Sequence, residues 1–166
     1  TPQGIVAVIQ KEEVGPPDFS QGKFLFLEDV QDPGNVGTMI RTADAAGFTG
    51  VIVSDKSADI YSLKTLRSMQ GSHFHLPIYR MSLASFIEET KKTAMPILAT
   101  TLSRDSKDYR ELSPLENFAL VMGNEGQGIS PIMAESANQL VHIGMKGRAE
   151  SLNVAVAAGI LMFYFS

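Results

Sequence analysis

Short apolar runs alternate along the chain with stretches whose apolar residues keep helical spacing. Runs rich in β-branched and aromatic residues predict strands, and they occupy residues 5–10, 23–28, 50–54, 76–79, 96–101, 117–123 and 139–143. Helical spacing predicts helices at residues 36–47, 61–69, 83–93 and 131–136. Strands that alternate with helices favour a parallel α/β sheet, in which ligands bind at the carboxyl ends of the strands.

The last apolar run, residues 154–165, predicts a helix without a polar face. Its apolar positions form two stripes on different sides of the helix, with Leu152, Val156, Gly159 and Phe163 on one side and Val154, Ala158, Leu161 and Phe165 on the other. One stripe can face the core, and the other suggests contact with a second subunit. Ser151 is a favourable N-cap residue, so we expect the helix to begin near it.

The composition is that of one soluble domain. Of its 166 residues, 44% are hydrophobic and 19% are charged, which is enough to bury a proper core. The absence of cysteine excludes disulfides and thiolate sites, and it fits a cytoplasmic protein. The run at 154–165 is too short to span a bilayer, so we expect no membrane association. Residues 1–4 would suit a linker to another domain.

A net charge of −4 argues against binding of nucleic acid by the whole surface, but it allows a local basic patch. Four cations could contact an RNA backbone or could equally be solvated surface charges: Lys64, Arg67, Lys146 and Arg148. His73 and His75 would share one face of a strand. Because no cysteine or carboxylate accompanies them at ligand spacing, we expect no metal site.

The first of three polar loops leads from the strand at 23–28 into a helix, and two interpretations of it remain open. In one, Asp32 is the N-cap, Pro33 is the first helical residue and Arg41 is a surface charge. In the other, the Asn35 amide binds a ligand and Arg41 holds a phosphate or ribose oxygen.

The second polar loop, residues 123–128, combines three glycines with Glu125 directly after a buried strand. Its glycine spacing does not match G-x-G-x-x-G, and it lacks the lysine of a P-loop, so the common nucleotide-binding folds lose support. The loop is either a flexible turn with an exposed carboxylate or part of a small-ligand site. Its position after a strand slightly favours the ligand site.

The third polar loop, residues 143–153, precedes the last helix. As a simple connection it would use Gly144 and Gly147 for turn geometry, with Ser151 and Asn153 as cap and first-turn residues. Alternatively, Ser151 and Asn153 complete a polar ring with the side chains of the first two loops at the mouth of the sheet.

Taken together, residues 35–43 (NVGTMIRTA), 121–128 (VMGNEGQG) and 151–157 (SLNVAVA) resemble the three motifs of the SpoU (TrmH) family of RNA ribose 2′-O-methyltransferases. The resemblance implies a parallel α/β sheet flanked by helices, with a C-terminal deep trefoil knot of the SPOUT type. It implies S-adenosylmethionine as the cofactor, RNA as the substrate with rRNA favoured over tRNA, and a homodimer formed through the last helix. It also implies that residues 1–166 are a catalytic domain without the N-terminal RNA-recognition domain that relatives often carry.

By motif match, five residues are expected in the active site: Asn35, Arg41, Glu125, Ser151 and Asn153. The cofactor is expected to rest largely on backbone groups at Thr100, Thr101, Gly123, Asn124, Glu125, Gly126, Ile143, Met145, Ser151 and Leu152. Because a guanidinium hardly deprotonates, we expect Arg41 to orient a phosphate and stabilise the developing alkoxide rather than to act as the base.

Two other functions compete with this one. A knotted module that binds the cofactor or RNA without catalysis is the alternative, and the presence of all five polar motif residues argues against it. A Rossmann-type oxidoreductase would need the glycine fingerprint that the chain lacks.

Overall fold

The computed structural model describes residues 4, 7–11 and 13–166, and it contains a seven-stranded sheet with helices on both faces. In chain order the elements are β1 (Lys23–Leu27), α1 (Pro33–Ala45), β2 (Gly50–Val53), α2 (Leu63–Met69), β3 (Ile78–Arg80), α3 (Leu83–Lys92), β4 (Ile97–Thr100), β5 (Lys107–Asp108), β6 (Phe118–Met122), α4 (Pro131–Ser136), β7 (Gln139–His142) and α5 (Val154–Phe165). The predicted α/β class is therefore confirmed.

All strand pairs in the sheet are parallel, and the strands lie in the order β3-β2-β1-β6-β4-β7-β5. Leu27, at the end of β1, lies opposite Met122, at the end of β6. The loops that follow β1, β6, β4 and β7 consequently succeed one another along the carboxyl edge of the sheet. All three polar loops of the sequence lie on this edge.

Two apolar cores cover the two faces of the sheet. On one face, α1, α2 and α5 pack against β-strand residues such as Leu25 and Leu120. On the other face, α3 and α4 pack around Phe26 and Phe86, whose rings stack at a centroid distance of 4.1 Å. Burying one such side chain stabilises the fold by about 1.5–3 kcal/mol. Both cores therefore hold the strand ends, and the loops attached to them, in place.

The helix α5 has one buried and one exposed apolar face, as its two stripes predict. Ala158, Leu161 and Phe165 are buried against the sheet and α1, whereas Val156 is 52% exposed and Phe163 is 58% exposed. In the described part of the chain, no helix has the length and apolarity needed to cross a membrane.

The predicted strand at 5–10 is wrong where the structure describes it. Residues 7–10 form no strand, and Val8 and Ile9 are 98% and 59% exposed. A β-branched run becomes a strand only when a neighbour accepts its hydrogen bonds, and no strand of the described chain pairs with this one. Residues 5 and 6, and residues 1–3 of the expected linker, lie outside the described residues.

The segment at 103–114, which the sequence presents as a polar loop, contains a strand and a short helix. The strand β5 pairs with β7, and Tyr109–Glu111 forms one 3₁₀ turn. Two polar residues carry no apolar alternation, so the pattern that predicts strands does not detect them.

Candidate active site

Three side chains from three separate segments form a hydrogen-bonded row at the carboxyl edge of the sheet. The Asn35 amide nitrogen, on α1, donates to Glu125 Oε1 at 3.1 Å. Asn153 Nδ2, at the start of α5, donates to Asn35 Oδ1, also at 3.1 Å. The structure therefore brings together three of the five expected active-site residues, with Asn35 at the centre.

The Glu125 carboxylate also holds the chain that enters α1. Its two oxygens accept the backbone N–H groups of Gln31 at 3.1 Å and Asp32 at 3.0 Å. Burial acts to raise the pKa of Glu125, but the hydrogen bonds that its carboxylate accepts, led by that from the N–H of Asp32, together outweigh it, and the pKa lies below its ordinary value. Glu125 is thus an ionised acceptor whose role in the row is to orient its neighbours.

The start of α1 follows the first interpretation of its loop. Asp32 is the N-cap, its Oδ1 accepts the N–H of Asn35 at 2.9 Å, and Pro33 is the first helical residue. Lys64 of α2 lies 2.8 Å from the other Asp32 oxygen. The hydrogen bond from Lys64, followed by that from the Asn35 N–H, lowers the pKa of Asp32. The cap therefore sets the position of Asn35 within the first turn.

The helix α5 spans the predicted residues, Val154–Phe165, but its N-cap is Asn153 and not Ser151. Asn153 Oδ1 accepts the N–H groups of Ala155 at 2.9 Å and Val156 at 3.3 Å. Asn153 thus makes two kinds of contact, because its oxygen caps the helix while its nitrogen donates to Asn35. Ser151 is exposed in the preceding loop.

Arg41 does not join the hydrogen-bonded row. It lies six residues after Asn35, which is about 9 Å further along the axis of α1. The side chain is exposed, and it makes no hydrogen bond or ion pair with any other residue that the structure describes. Its guanidinium is therefore available to an external anion.

The loop after β6 is shaped by Gly123 and Asn124. A Cβ at Gly123 would lie only 2.2 Å from the Gly128 carbonyl carbon and 2.4 Å from the Ile129 nitrogen, so the loop doubles back across a position where only glycine fits. Asn124 Oδ1 accepts the N–H groups of Gly126 at 2.9 Å and Gln127 at 3.0 Å. This geometry holds Glu125 at the tip of a closed turn.

Two further residues, which the sequence does not single out, fasten this loop. Asn124 Nδ2 donates to the backbone oxygen of Asp29 at 2.8 Å, and Asp29 adopts a left-handed conformation with φ of 54°. The buried Glu28 carboxylate accepts the N–H of Ser130 at 3.2 Å. The sequence signal that could have identified them is the pair of acidic residues, Glu28 and Asp29, at the end of an apolar strand.

The residues expected to hold a cofactor lie in three loops on adjacent strands, β6, β4 and β7. Thr100 Oγ1 donates to Val121 O at 2.9 Å, and Thr101 N donates to Val141 O at 3.0 Å, so β4 is tied to both neighbours at its end. No hydrogen bond within the described chain involves the backbone of residues 145–152. Its N–H and carbonyl groups are therefore available to a ligand, which is the arrangement that recognition through backbone groups requires.

A family model described as the SpoU rRNA Methylase family matches residues 22–163, which include the whole sheet and all three polar loops. The chain belongs to the SpoU rRNA methylase family. The resemblance seen in the three motifs is thereby confirmed.

Curated relatives are similar over most of the chain. The 23S rRNA (guanosine(2553)-2′-O)-methyltransferase RlmP of Bacillus subtilis is 45% identical over 166 residues, which cover 99% of this chain and 65% of that relative. A putative TrmH family tRNA/rRNA methyltransferase of the same organism is 34% identical over 141 residues, which cover 84% of this chain and 56% of that relative. The chain thus spans about two thirds or less of these relatives.

Solved structures of SpoU and TrmH proteins share the fold. An AdoMet-bound rRNA methyltransferase from Sinorhizobium meliloti superposes with a TM-score of 0.81 at 41% identity, over 86% of this chain and 54% of that one. The SpoU methyltransferase AviRb from Streptomyces viridochromogenes, in complex with AdoMet, has a TM-score of 0.79 at 33% identity, over 90% of this chain and 60% of that one. The α/β sheet of this chain is therefore the SPOUT sheet of SpoU and TrmH proteins.

In this SpoU-family chain, the described residues include no group of three or more histidine, aspartate or glutamate side chains that could hold a metal ion. His73 and His75 do not share a strand face, because His73 lies within a 3₁₀ turn at Ser72–Phe74 and His75 follows it directly. His75 Nδ1 lies 2.9 Å from Asp44 Oδ2.

Proposed function

We propose that this chain is the catalytic domain of an S-adenosylmethionine-dependent methyltransferase that modifies a ribose 2′-hydroxyl of ribosomal RNA. The observation that carries the proposal is the row from Glu125 through Asn35 to Asn153. It joins all three motif segments at the edge of the sheet where α/β proteins bind ligands.

The names of the relatives support ribosomal RNA over transfer RNA. RlmP, at 45% identity, is named for methylation of a guanosine 2′-oxygen in 23S rRNA. Relatives at 32–35% identity are named for tRNA or rRNA without distinction. We propose rRNA as the substrate because the more similar relative acts on it, and a cytoplasmic location follows from that substrate.

The loops fit the proposed cofactor. When bound, S-adenosylmethionine supplies a methyl group on a positively charged sulfur. The residues proposed to hold it lie in the loops after β4, β6 and β7, at Thr100, Thr101, Gly123, Asn124, Glu125, Gly126, Ile143, Met145, Ser151 and Leu152. The backbone of 145–152 supports this assignment because its polar groups are available to a ligand. The close turn at Gly123 supports it because it holds the loop after β6 in a fixed shape.

Methyl transfer would form a bond between the ribose 2′-oxygen and the methyl carbon and would break the bond from that carbon to sulfur, which leaves as a neutral thioether. The hydroxyl proton would pass to solvent. Arg41 is permanently charged and cannot accept it. We assign Arg41 to hold a phosphate of the RNA and to stabilise negative charge as it develops on the 2′-oxygen. Its exposed guanidinium, without a partner among the described residues, supports this role.

Asn35, Glu125, Asn153 and Ser151 are assigned to position the reactants. Correct positioning of two reactants can account for a large part of a rate enhancement. Glu125 accepts three N–H groups and is ionised, so it orients Asn35 and the entry to α1. Asn153 fixes the other side of Asn35. Ser151 is exposed two residues before the N-cap, and we assign it to line the active site around the ribose.

We propose that the exposed face of α5 is covered by a second copy of this chain. Val156, Ile160 and Phe163 form a continuous stripe at helical spacing, and they are 52%, 37% and 58% exposed. An apolar stripe of this kind is the usual core of a homodimer interface.

The knot is also proposed. It is supported by the position of β7, which lies between β4 and β5 although it follows both in the chain.

The test is transfer of a labelled methyl group from S-adenosylmethionine to purified rRNA and tRNA by the full-length protein, with mapping of the modified nucleotide. We expect label on a ribose of rRNA. Cofactor binding without label on any RNA would support the alternative, a module that binds without catalysis. Sedimentation of a monomer at micromolar concentration would contradict the proposed homodimer.

A further inference from the structure

Segment 106–112 belongs to none of the three motifs, yet it is fastened to β7. Its strand β5 pairs with β7 through Lys107 opposite Val141 and Asp108 opposite His142. Ser106 Oγ lies 2.9 Å from His142 Nδ1. The segment therefore forms the outer wall of the strand that leads into the third polar loop.

The Asp108 carboxylate extends this attachment to the loop itself. Arg110 donates its backbone N–H and its Nε to Asp108 Oδ1, at 3.0 and 2.8 Å, and its Nη2 to Oδ2, at 2.8 Å. Oδ2 also accepts the N–H of Gly144 at 3.2 Å. The hydrogen bonds from the Arg110 side chain and backbone hold the pKa of Asp108 well below its usual range. The carboxylate thus stays charged and fixed in orientation against Gly144.

Glycine at position 144 leaves room for the close approach of the Asp108 carboxylate, and its own backbone conformation is ordinary. A Cβ at Gly144 would lie 2.6 Å from Asp108 Oδ2 and 3.4 Å from Arg110 Nη2. Gly144 is not among the glycines with positive φ. Its backbone would accept alanine, and the clash with Asp108 is the steric reason against it.

The far end of the segment is attached to α5, which follows the loop. Tyr164 donates its hydroxyl to Leu112 O at 3.0 Å, and the rings of Tyr109 and Tyr164 meet edge to face at 4.8 Å. Segment 106–112 consequently contacts the chain on both sides of the loop at 143–153.

We propose that Asp108 is a positioning residue for the cofactor, acting through the N–H of Gly144. Gly144 lies between Ile143 and Met145, which are both assigned to the cofactor. By holding the N–H of Gly144, the carboxylate fixes the orientation of the backbone that connects these two residues. The inference rests on the proposed function. An ordinary surface ion pair between Asp108 and Arg110 would contribute little, and it would leave Gly144 free of steric restriction.

The experiment is a double-mutant cycle on the full-length protein, with the dissociation constant for S-adenosylmethionine measured by calorimetry. We expect Asp108→Ala to raise it about tenfold, as the loss of one charge-assisted hydrogen bond predicts. Gly144→Ala should raise it by about the same factor, because the new methyl displaces the carboxylate. The double variant should remain near tenfold, since without the carboxylate the methyl has room.

Glu111→Ala is the matched control, because it removes a neighbouring exposed carboxylate that makes no side-chain hydrogen bond or ion pair in the described chain. Its affinity should equal that of the wild type. Independent effects that multiply to about a hundredfold in the double variant, or an Asp108→Ala protein that binds as well as wild type, would overturn the inference.

If the alanine variant does not fold, Asp108→Leu provides the same comparison, because it fills the space without offering an acceptor to the Gly144 N–H, and wild-type affinity in it would count equally against the inference. A wild-type protein that does not bind S-adenosylmethionine would instead remove the proposed function, and the inference with it.

Discussion

The loop after β6 and the loop after β7 are both assigned to the cofactor, but they are held very differently. In the first, residues 123–130, the side chains of Asn124 and Glu125 each make three hydrogen bonds to other residues. In the second, residues 143–153, the contacts lie at the two ends, at Gly144 and Asn153. The first loop is therefore preformed in the absence of a ligand. The second loop has backbone groups without hydrogen-bond partners in the described chain, and these can bind a ligand.

This difference indicates a division of labour within the site. A preformed loop avoids the entropy cost of ordering when a ligand binds, so it suits the groups that fix geometry. A loop tied only at its ends can close over a ligand after it has entered. We infer that the β6 side sets the position of Asn35 and that the β7 side encloses the cofactor.

The largest expected effect concerns Arg41, which belongs to neither loop. Because it is assigned to the RNA and to the developing charge, Arg41→Ala should slow methyl transfer to rRNA at least a thousandfold, about 4 kcal/mol. The affinity for S-adenosylmethionine should not change. Lys91→Ala, on the opposite face of the sheet, is the control and should retain full activity. An Arg41→Ala enzyme with a tenth or more of normal activity would contradict the assignment.

The next effect compares the loops directly, through one glycine in each. Gly123→Ala should lower the free energy of unfolding by about 3 kcal/mol, since its Cβ would meet backbone atoms at 2.2 Å. Gly147→Ala should change it by less than about 0.5 kcal/mol, because nothing lies within 4 Å of the added methyl. Urea denaturation measures both. Equal losses in the two variants would show that the loops are held alike.

Glu125→Gln should cost about 1 kcal/mol of stability near pH 7, because the amide cannot accept all three N–H groups and the site is partly exposed. The folded-state pKa of Glu125 is lowered, so its contribution is fully present above the ordinary carboxyl pKa of about 4.3. It is lost as the pH falls through the lower, folded-state value.

The gap in unfolding free energy between wild type and Glu125→Gln should therefore close as the pH is lowered below about 4. Glu150→Gln, in the other loop, is the control near pH 7, because Glu150 makes no hydrogen bond or ion pair in the described chain, and its stability should equal that of the wild type. A Glu125 gap that widens in acid would mean that the carboxylate is not held as an ionised acceptor.

The smallest effect separates the two roles of Asn153. Asn153→Ala should lower the free energy of unfolding by about 1 kcal/mol because the cap is lost. Asn153→Asp keeps a capping oxygen and should lie within about 0.5 kcal/mol of wild type, yet both variants should slow methyl transfer because the bond to Asn35 is lost. Ser151→Ala should leave stability unchanged. A Ser151→Ala protein as unstable as Asn153→Ala would restore Ser151 as the cap.

Local chemistry predicted much of this protein from the sequence. Buried strands and amphipathic helices carry their own periodicity, so the α/β class, the two faces of α5 and the cap at Asp32 could be anticipated from neighbouring residues. The three motifs identified the family. The position of the strand ends suggested a polar ring at the mouth of the sheet, in which Asn35, Glu125 and Asn153 meet, whereas Arg41 and Ser151 do not join their hydrogen-bonded row.

Contacts between segments distant in the chain were decided only by the tertiary structure. Two polar residues become β5 because β7 offers a partner, while the more apolar residues 7–10 have none and form no strand. Asn153 rather than Ser151 caps α5, where its second amide atom can reach Asn35. Gly144 appears in the sequence as an ordinary turn glycine, and its restriction arises from a carboxylate 36 residues earlier in the chain. Hydrogen bonds of this kind depend on distance in space, which periodicity along a single segment does not contain.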